Sequence, residues 1–432
     1  MAEPDFFPIA SLDDVEWVRF IERAQAVPQD VLDKAKAIVD SVRDEGDAAL
    51  RRWSKSLDGV DLEDPFVSRK EWQAALREVP SAVRKAVDEN LARIQAFHRL
   101  QKGSEQRLTV APGVRLGRRP VPFDAVGCYV PGGRATYPST VLMTVTPARI
   151  AGCKTIVVAT PPRKDGRVDP VVLYAAKAAG ATHVLRAGGA QAIAALAFGT
   201  TRIPAVQAIV GPGNAYVTAA KQLVAGRVHT DAPAGPSELL IIADKTAHAD
   251  EVALDLLAQA EHDPDAHVVL VATDNKLARK VRDELVARLP ATKRRAIIEA
   301  SLRDHGALLV AKSLAEALRF SNDHAPEHLT LMVRNPQAAL AKVRNAGSVF
   351  LGRHAPVSLG DYGSGTNHVL PTMGHARVRG GLSVEDFRKW VTWQDVTAAG
   401  LARIGPAVAT LARAEGLICH AEAVEKRLET GR

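Results

Sequence analysis

Residues 155–198 read TIVVATPPRKDGRVDPVVLYAAKAAGATHVLRAGGAQAIAALAF, and this stretch decides the fold of the chain. Short runs of apolar and β-branched residues at 155–160 and 183–186 alternate with longer, alanine-rich runs at 170–179 and 190–198. Such alternation is typical of βαβ units, in which helices cross over between parallel strands. We therefore predict two strands and two helices here, built around a parallel sheet.

The same alternation continues on both sides of this stretch and indicates two α/β series. The first series is completed by predicted elements at 126–130, 139–151, 205–210 and 215–225. The second has predicted strands at 238–242, 268–272, 307–310, 328–333 and 348–351, and helices at 249–261, 276–289, 294–302, 314–321 and 336–346. The predicted fold class is α/β, with two similar open, mostly parallel sheets of incomplete Rossmann-like type and helical N- and C-terminal extensions. We expect a ligand between the sheets, outside the carboxyl ends of their strands.

The two ends of the chain have a helical pattern. Apolar residues recur at helical spacing from Val83 to Phe97, short strands and turns begin near Leu108, and helical interleaving returns after Leu382. The tail pattern fits packing on its own chain or on a partner subunit. The predicted domains are an N-terminal helical segment (1–25), a discontinuous first α/β domain (26–126 and 239–382), a second α/β domain (127–238) and a C-terminal helical tail (383–432).

Composition and charge exclude several classes of protein. Of the 432 residues, 47% are hydrophobic and 24% are charged, which is ordinary for a folded protein and excludes bulk disorder. The net charge of +7 is compatible with an anionic partner such as a dinucleotide. The densest basic groups, at 118–119 and 293–295, are short and have no aromatic residues among them. We therefore expect no nucleic-acid partner.

Cysteine usage and hydropathy bear on location. Cys128, Cys153 and Cys419 cannot form a disulfide framework, which favours a reducing, cytoplasmic compartment. The N-terminus has no basic segment followed by an apolar one, so no secretory signal is visible. The longest uncharged stretch, 203–220, contains proline and glycine, so we expect no membrane span.

Glycine-rich turns offer one kind of binding site. No G-x-G-x-x-G motif opens either series, so the usual dinucleotide fingerprint is missing. Other glycine-rich turns lie between a predicted strand and a predicted helix, at 131–133, 188–191 and 211–214. Free N–H groups at a helix N-terminus suit an anion such as a pyrophosphate. Tight βα turns also need glycine for backbone reasons alone, so the spacing leaves both interpretations open.

Gln259 and His262 are candidate metal ligands. They are three residues apart near the end of a predicted amphipathic helix, so their side chains lie on one face. An amide oxygen and an imidazole at this spacing can share a metal ion. The alternative is a polar pair that caps the helix end. In a glycine-rich segment further along, Asp361 is a candidate hard-oxygen ligand and His368 a further candidate site residue.

The dipeptide Glu327-His328 follows Pro326 and directly precedes an apolar run. A carboxylate and an imidazole together suit two proton-transfer tasks. Neighbouring side chains on an extended chain point in opposite directions, so both reach one cleft only where the backbone turns, which the proline permits. The alternative is an exposed loop that carries charges.

Taken together, these motifs resemble the L-histidinol dehydrogenase family over essentially the whole chain. The matching stretches are YVPGGRATYPSTVLMTVTPARIAG, GGAQAIAALAFGT, GPGNAYVTAAK, DAPAGPSELLIIAD, LLAQAEHDPDA, APEHL, GSVFLG, LGDYGSGTNHVLPT, GLSVEDF and ARAEGL. The resemblance implies oxidation of L-histidinol through L-histidinaldehyde to L-histidine, the last steps of histidine biosynthesis. It also implies NAD as the oxidant in both steps, a Zn²⁺ ion in each subunit, and a homodimer.

The resemblance further implies which residues bind zinc and substrate. The implied zinc ligands are Gln259, His262 and Asp361 of one subunit and His420 of the other subunit in a domain-swapped homodimer. The tail of each chain would then complete the other chain's site. A mixed nitrogen and oxygen set is less selective than thiolates, so Mn²⁺ or Co²⁺ can substitute. The implied substrate-binding residues are Ser237, Gln259, His262, His328, Asp361, Glu415 and His420.

The remaining implied roles concern catalysis and the cofactor. His328 resembles the base that takes the hydroxyl proton in the first oxidation. Glu327 resembles the base that activates water for attack on the aldehyde. Tyr129, Gln191 and Asn214 match NAD-contacting positions, and they lie in or beside the glycine-rich turns.

Some positions depart from the family pattern. Ala232 stands where methionine is common, Asp263 stands where glycine also occurs, and Trp390 and Trp393 make their region unusually aromatic. None removes an implied ligand or base, but substrate preference stays open. The alternative is a relative that acts on another amino- or sulfo-substituted alcohol, such as sulfopropanediol, although the tail motif ARAEGLICH favours histidinol. A cysteine thiohemiacetal is the alternative route for the aldehyde step, but no cysteine lies in an electropositive motif.

Overall fold

The computed structural model describes residues 9–15, 17–23, 27–61, 63–132, 136–233 and 235–430. The chain divides into two compact units. The first unit comprises residues 1–100 and 124–387, and the second comprises 101–123 and 388–432. The predicted N-terminal segment is thus described in part, and Gly133 of the predicted turn at 131–133 lies outside the described residues.

The strands and helices follow one another through both units. The strands are Ile9–Ser11 (β1), Gln106–Ala111 (β2), Val114–Pro122 (β3), Ala125–Tyr129 (β4), Thr155–Thr160 (β5), His183–Arg186 (β6), Ala208–Val210 (β7), His229–Thr230 (β8), Glu238–Ala243 (β9), His267–Ala272 (β10), Gly306–Val310 (β11), His328–Met332 (β12), Ser348–Leu351 (β13) and Arg388–Val396 (β14).

The helices cover the faces of the sheets or extend from them. They are Val18–Ile21 (α1), Gln29–Glu45 (α2), Asp47–Trp53 (α3), Arg69–Glu78 (α4), Ser81–Arg99 (α5), Pro138–Ala151 (α6), Pro170–Ala179 (α7), Gly189–Phe198 (α8), Ala215–Val224 (α9), Ala249–Ala260 (α10), Asn275–Arg288 (α11), Arg295–His305 (α12), Leu314–His324 (α13), Pro336–Leu340 (α14), Val357–Tyr362 (α15), Ala398–Ala414 (α16) and Ile418–Thr430 (α17). Within the described ranges, none of these helices has both the length and the apolar character needed to cross a lipid bilayer.

The first unit contains two parallel sheets. One has six strands in the order β1-β11-β10-β9-β12-β13, and the other has five in the order β6-β5-β4-β7-β8. Their inner strands, such as β5 and β10, are buried along nearly their whole length, because helices cover parallel sheets on both faces. The predicted fold class, with two similar parallel sheets and helical extensions, is confirmed.

Local signals fix several elements at their predicted bounds. The helix predicted at 170–179 begins after Asp169, whose carboxylate accepts a hydrogen bond from the N–H of Val171, and it ends at Gly180, which has a φ of 95°. Other elements are shorter than predicted. β7 begins at Ala208, and α14 ends at Leu340.

The early helices pack on the five-stranded sheet's layer. α2 contacts α8 and α9, α4 contacts α7, and α5 contacts α6. α2 buries Ala35, Ile38, Val39 and Val42, which lie on one face at helical spacing. We expected residues 26–126 to associate with 239–382. In the structure, the apolar face of α2 packs instead on α8 and α9, which belong to the layer of the five-stranded sheet. The exact domain boundaries stay a prediction.

The second unit is a three-stranded antiparallel sheet with two helices. The strand order is β14-β3-β2, and α16 packs against α17. The prediction of an entirely helical tail after Leu382 is wrong here, because Arg388–Val396 is a strand paired with β3. Gly117 makes this pairing possible, since a Cβ there would lie 2.3 Å from the ring of Trp393. Arg118 stacks over Trp390, with 4.6 Å from its guanidinium carbon to the ring centre.

Candidate active site

A cavity of about 1230 Å³ opens within the first unit. Part of its wall consists of turns at the carboxyl ends of β4 and β7, with Gly132 and Asn214. Another part comes from the amino ends of β9 and β12, where Ser237, Glu327 and His328 lie. The cavity therefore lies at the carboxyl ends of strands of the five-stranded sheet, where a ligand is expected, but at the amino ends of strands of the six-stranded sheet.

Most of the predicted site residues in the first unit line this cavity. They are Asn214, Ser237, Gln259, His262, Glu327, His328, His368 and Asp361. Tyr129 and Gln191 are not among the described lining residues. Glu415 and His420 belong to the second unit, and both are exposed there. Five separate motifs of the sequence thus meet in one cavity of the first unit.

Helix α10 brings Gln259 and His262 to the cavity. It follows β9 and runs back to the amino edge of the sheet, as crossover helices between parallel strands do. Gln259 is 4% exposed, and its amide nitrogen has no hydrogen-bond partner among the described residues. A buried polar group without a partner costs about 1–3 kcal/mol. This end of α10 is therefore suited to a ligand that accepts a hydrogen bond from the amide nitrogen of Gln259.

Asp361 reaches the cavity from the short helix α15. Gly360 lets this helix lie close to β13, because a Cβ there would lie 2.7 Å from the ring of Phe350. His368 lies beside Asp361, with its Nδ1 3.9 Å from Oδ1 of the carboxylate. The Nε2 of His368 lies 3.3 Å from Oγ1 of Thr140. Burial lowers the pKa of His368, which favours its neutral form.

Glu327 and His328 line the same cavity although they are neighbours in sequence. Helix α13 ends at His324, the next residue Ala325 has a left-handed φ of 52°, and Pro326 then leads the chain into β12. One carboxylate oxygen of Glu327 accepts a hydrogen bond from the N–H of Glu238 at 2.8 Å. Nδ1 of His328 lies 2.9 Å from the carbonyl oxygen of Glu238. The dipeptide is therefore held in place by β9.

The residue types at the cavity fit a zinc ion. Gln259, His262 and Asp361 offer an amide oxygen, an imidazole and a carboxylate, a mixed set that a borderline metal accepts. The unpartnered amide nitrogen of Gln259 is a hydrogen-bond donor, so the atom available to a metal ion would be its amide oxygen. Within the described ranges, no group of three or more His, Cys, Asp and Glu side chains could hold a metal ion. Of the three candidate ligands, only His262 and Asp361 belong to these four types, and the third is an amide.

The turn at 188–191 is bonded to other parts of the same unit. The N–H of Gly188 donates to the carboxylate of Asp58 at 3.3 Å, and the amide of Gln191 donates to it at 3.2 Å. The N–H of Gly189 donates to the hydroxyl of Tyr129 at 3.0 Å. Burial raises the pKa of Asp58. Two backbone N–H groups of this turn, those of Gly188 and Gly189, are thus already bonded within the protein.

The turn at 211–214 is held by a buried ion pair. Asp231 accepts a hydrogen bond from the N–H of Gly211 at 2.7 Å, Lys221 donates to the carbonyl of Gly211 at 3.0 Å, and the two side chains form an ion pair. Gly211 has a φ of +116°, and a Cβ there would lie 2.0 Å from the carbonyl oxygen of Tyr129. The side chain of Asn214 caps α9. This turn lines the cavity and is rigidly placed.

Sequence reasoning did not single out three residues that shape the site. Arg23 and Glu238 form a buried ion pair next to Glu327, and Asp58 bonds the turn at 188–191. Glu238 carried a signal, since a glutamate opens a strand that is otherwise apolar. Arg23 and Asp58 lie in segments without a motif, so no sequence signal marks them.

The fold and the cavity define an α/β enzyme in which proton-transfer groups lie beside candidate metal ligands. The family model for histidinol dehydrogenase matches residues 21–428. The histidinol dehydrogenase of Methanothermobacter thermautotrophicus is 50% identical over 94% of this chain and 96% of its own length, and that of Methanosarcina mazei is 46% identical over 98% and 97%. The crystal structure of histidinol dehydrogenase from Elizabethkingia anophelis matches with a TM-score of 0.93 at 40% identity, over 98% of this chain and 97% of that one. The chain belongs to the histidinol dehydrogenase family and is an oxidoreductase.

Proposed function

We propose that this chain catalyses the zinc-dependent, NAD-dependent, four-electron oxidation of L-histidinol through L-histidinaldehyde to L-histidine in histidine biosynthesis. The observation that carries the proposal is that Glu327 and His328 line one cavity with Gln259, His262 and Asp361. Each of the two oxidations needs a proton acceptor, and an imidazole and a carboxylate in one cavity supply two. The 50% identity to a relative named histidinol dehydrogenase supports the choice of substrate.

His328 is the base of the alcohol step. Its Nδ1 lies 2.9 Å from the carbonyl oxygen of Glu238. Because a carbonyl oxygen can only accept, Nδ1 carries the hydrogen, and Nε2 is the atom that takes the hydroxyl proton. Negative charge on the substrate oxygen then makes loss of hydride from the carbon easier.

Glu327 is the base of the aldehyde step. Hydride leaves an aldehyde carbon readily only after water has added to it. Oε2 of Glu327 is bonded by the N–H of Glu238, which leaves Oε1 to take the proton of the attacking water. The route through a cysteine has no support, since Cys128, Cys153 and Cys419 are absent from the described lining residues and burial raises the pKa of Cys128.

Gln259, His262 and Asp361, with His420 of the partner subunit, would hold the zinc ion. When bound, zinc would orient the amine and imidazole of the substrate as a Lewis acid, and NAD would accept hydride in each step. The turn at 211–214 lines the cavity and suits NAD, with Asn214 in contact, while the family resemblance implies contacts to Tyr129 and Gln191 as well. The cavity of about 1230 Å³ exceeds the ~300–1,000 Å³ of a typical ligand pocket, which fits substrate and dinucleotide together.

The active sites are shared within a domain-swapped homodimer, in which each tail completes the site of the other chain. The exposure of Glu415 and His420 in the second unit supports this arrangement. Glu415 and Ser237 would then bind substrate. A cytoplasmic location fits a sequence whose three cysteines are too few for a disulfide framework.

A stoichiometry measurement tests the proposal. Purified protein given limiting L-histidinol and excess NAD should form two NADH per substrate consumed, with L-histidine as the product. Treatment with a chelator should abolish the activity, and added zinc should restore it. One NADH per substrate would contradict the four-electron reaction. Activity on sulfopropanediol without activity on histidinol would support the alternative substrate class.

A further inference from the structure

A buried ion pair lies directly behind Glu327 and His328. Arg23 donates hydrogen bonds to both carboxylate oxygens of Glu238, at 2.8 and 3.2 Å. The two side chains are 2% and 0% exposed. Neither residue is among the described lining residues of the cavity. Two-point pairing of a guanidinium with a carboxylate fixes geometry as well as charge.

Glu238 is bonded to the Glu327-His328 dipeptide at three points. Its backbone N–H donates to Oε2 of Glu327 at 2.8 Å, and its carboxylate accepts from the backbone N–H of Glu327 at 3.4 Å. Its carbonyl accepts from Nδ1 of His328 at 2.9 Å. β9 and β12 are neighbouring parallel strands, with His328 paired to Leu239. A shift of Glu238 therefore moves both proton-transfer groups.

Arg23 connects this arrangement to two other segments. Its Nη1 donates to the carbonyl oxygen of Phe20 and lies 2.9 Å from Nδ1 of His324. His324 is the last residue of α13, and the left-handed Ala325 follows it directly. The guanidinium of Arg23 thus contacts the strand that holds Glu238 and the helix end from which the chain turns into Glu327.

We propose that Arg23 and Glu238 are positioning residues of this oxidoreductase, which hold Glu327 and His328 in the geometry for proton transfer and touch no substrate atom. The inference rests on the proposed function and deepens it. The burial of the pair is weak evidence that it serves stability, since apolar residues of similar volume in place of a buried ion pair are often as stabilising or more so. Because Glu238 contacts both members of the dipeptide, both oxidation steps depend on it.

A variant without either charge separates an effect on the position of Glu327 and His328 from an effect on the stability of the protein. Glu238→Gln alone leaves Arg23 buried beside a neutral partner, so both the melting temperature and kcat should fall. The double variant Arg23→Met/Glu238→Gln removes both charges and should regain the melting temperature. Its kcat should stay about tenfold or more below wild type in both steps, measured with histidinol and with histidinaldehyde. Its KM for histidinol should stay within about twofold of wild type.

A matched control removes another ion pair of the same unit. Arg186 and Glu71 are paired at 3.4 Å and are absent from the described lining residues of the cavity. The variant Arg186→Met/Glu71→Gln should keep the wild-type kcat. Wild-type melting temperature together with wild-type kcat in Arg23→Met/Glu238→Gln would overturn the proposal. If that variant does not fold, Arg23→Lys is the deciding variant. It keeps the positive charge but cannot pair with both carboxylate oxygens of Glu238. A kcat about fivefold below wild type supports the proposal, and a wild-type kcat overturns it.

A second readout does not depend on turnover. In metal-free protein with ¹⁵N-labelled histidine, the Nδ1 and Nε2 shifts of His328 report the hydrogen bond between its Nδ1 and the carbonyl of Glu238. Glu238→Gln should change these shifts and the Arg186→Met/Glu71→Gln control should not, and unchanged shifts in Glu238→Gln would overturn the inference. A wild-type enzyme that fails to oxidise histidinol would refute the proposed function, and the shifts would still test the positioning.

Discussion

Nδ1 of His328 lies 3.5 Å from Oε2 of Glu327, and both side chains are buried. Burial by itself would lower the pKa of His328. The Glu327 carboxylate opposes this, with help from Asp361 and the carbonyl of Glu238, and raises the pKa to about 9. His328 is therefore protonated at neutral pH in this structure, and its fraction in the basic form grows as the pH rises.

The first prediction concerns the pH dependence of the alcohol step. Because His328 must lose a proton before it can act as a base, the rate of the first NADH should rise with pH and level off above about 9. Single-turnover kinetics over a range of pH measures it. In Glu327→Gln the rise should move to lower pH, because the carboxylate that raises the pKa of His328 is gone. A first step that does not change with pH would refute the role of His328.

Glu327→Gln should also separate the two oxidations. The amide cannot take a proton from water, so the rate with histidinaldehyde should fall about 10²–10⁴-fold. The alcohol step keeps its base, and its rate at the optimum pH should change much less. Parallel assays with histidinol and histidinaldehyde measure the two rates. Equal losses in both would contradict the assignment of Glu327 to the aldehyde step.

Mixing two inactive variants tests the shared site. His420→Ala and His262→Ala should each lose bound zinc and activity. After subunit exchange, half of the dimers are mixed, and each mixed dimer contains one intact site, so about a quarter of the wild-type activity should return. Metal analysis and assay of the mixture check this, with mass spectrometry to confirm exchange. Confirmed exchange without recovery would argue for a site built within one chain.

Gly211 should be sensitive to the smallest substitution. Gly211→Ala places a Cβ 2.0 Å from the carbonyl oxygen of Tyr129 in a backbone with a φ of +116°. We expect a loss of about 3 kcal/mol in the free energy of unfolding. Gly226→Ala is the matched control, because a Cβ there meets nothing within 4 Å, and its effect should stay within about 0.5 kcal/mol. Denaturant titration compares the two, and equal effects would refute the prediction.

His267 should limit stability in acid. Burial, together with the charges of His305 and Arg23, lowers its pKa to about 3. The unfolded chain takes up this proton near pH 6.5 and the folded chain only near pH 3, so this group makes stability fall as the pH drops through that window. His267→Phe keeps the ring that packs on His305, at 4.5 Å between centres. The variant should lose less stability than wild type between pH 7.5 and pH 4 in denaturant titrations, and an identical loss would contradict the prediction.

The regular part of the fold is predictable because its signals are local. The helix at 170–179 has a capping aspartate before it and a glycine after it, so its bounds follow from neighbouring residues. The strand Arg388–Val396 carries no comparable signal, because its pairing depends on β3, which lies far earlier in the chain. The same dependence on distant contacts explains why the packing of α2 on α8 and α9 was not foreseen.

The site residues that belong to a sequence motif could be predicted. Gln259, His262 and the Glu327-His328 dipeptide stand out by residue type and spacing, and they do line one cavity. Arg23 could not be found in this way, since its partner Glu238 lies 215 positions away. Sequence motifs report groups that touch ligands, whereas the groups that hold them in place depend on the folded chain.

The cavity is lined by the N-terminus of one helix and by the C-terminus of another, so the helix dipoles give its two sides opposite electrostatic potentials. Asn214 stands at the N-terminus of α9, where the helix dipole is positive, while Gln259 and His262 stand at the C-terminus of α10, where it is negative. An anionic group is favoured on the first side and a cation on the second. The helix ends would therefore favour one orientation for a pair of ligands with phosphates on one and a metal-binding amine on the other.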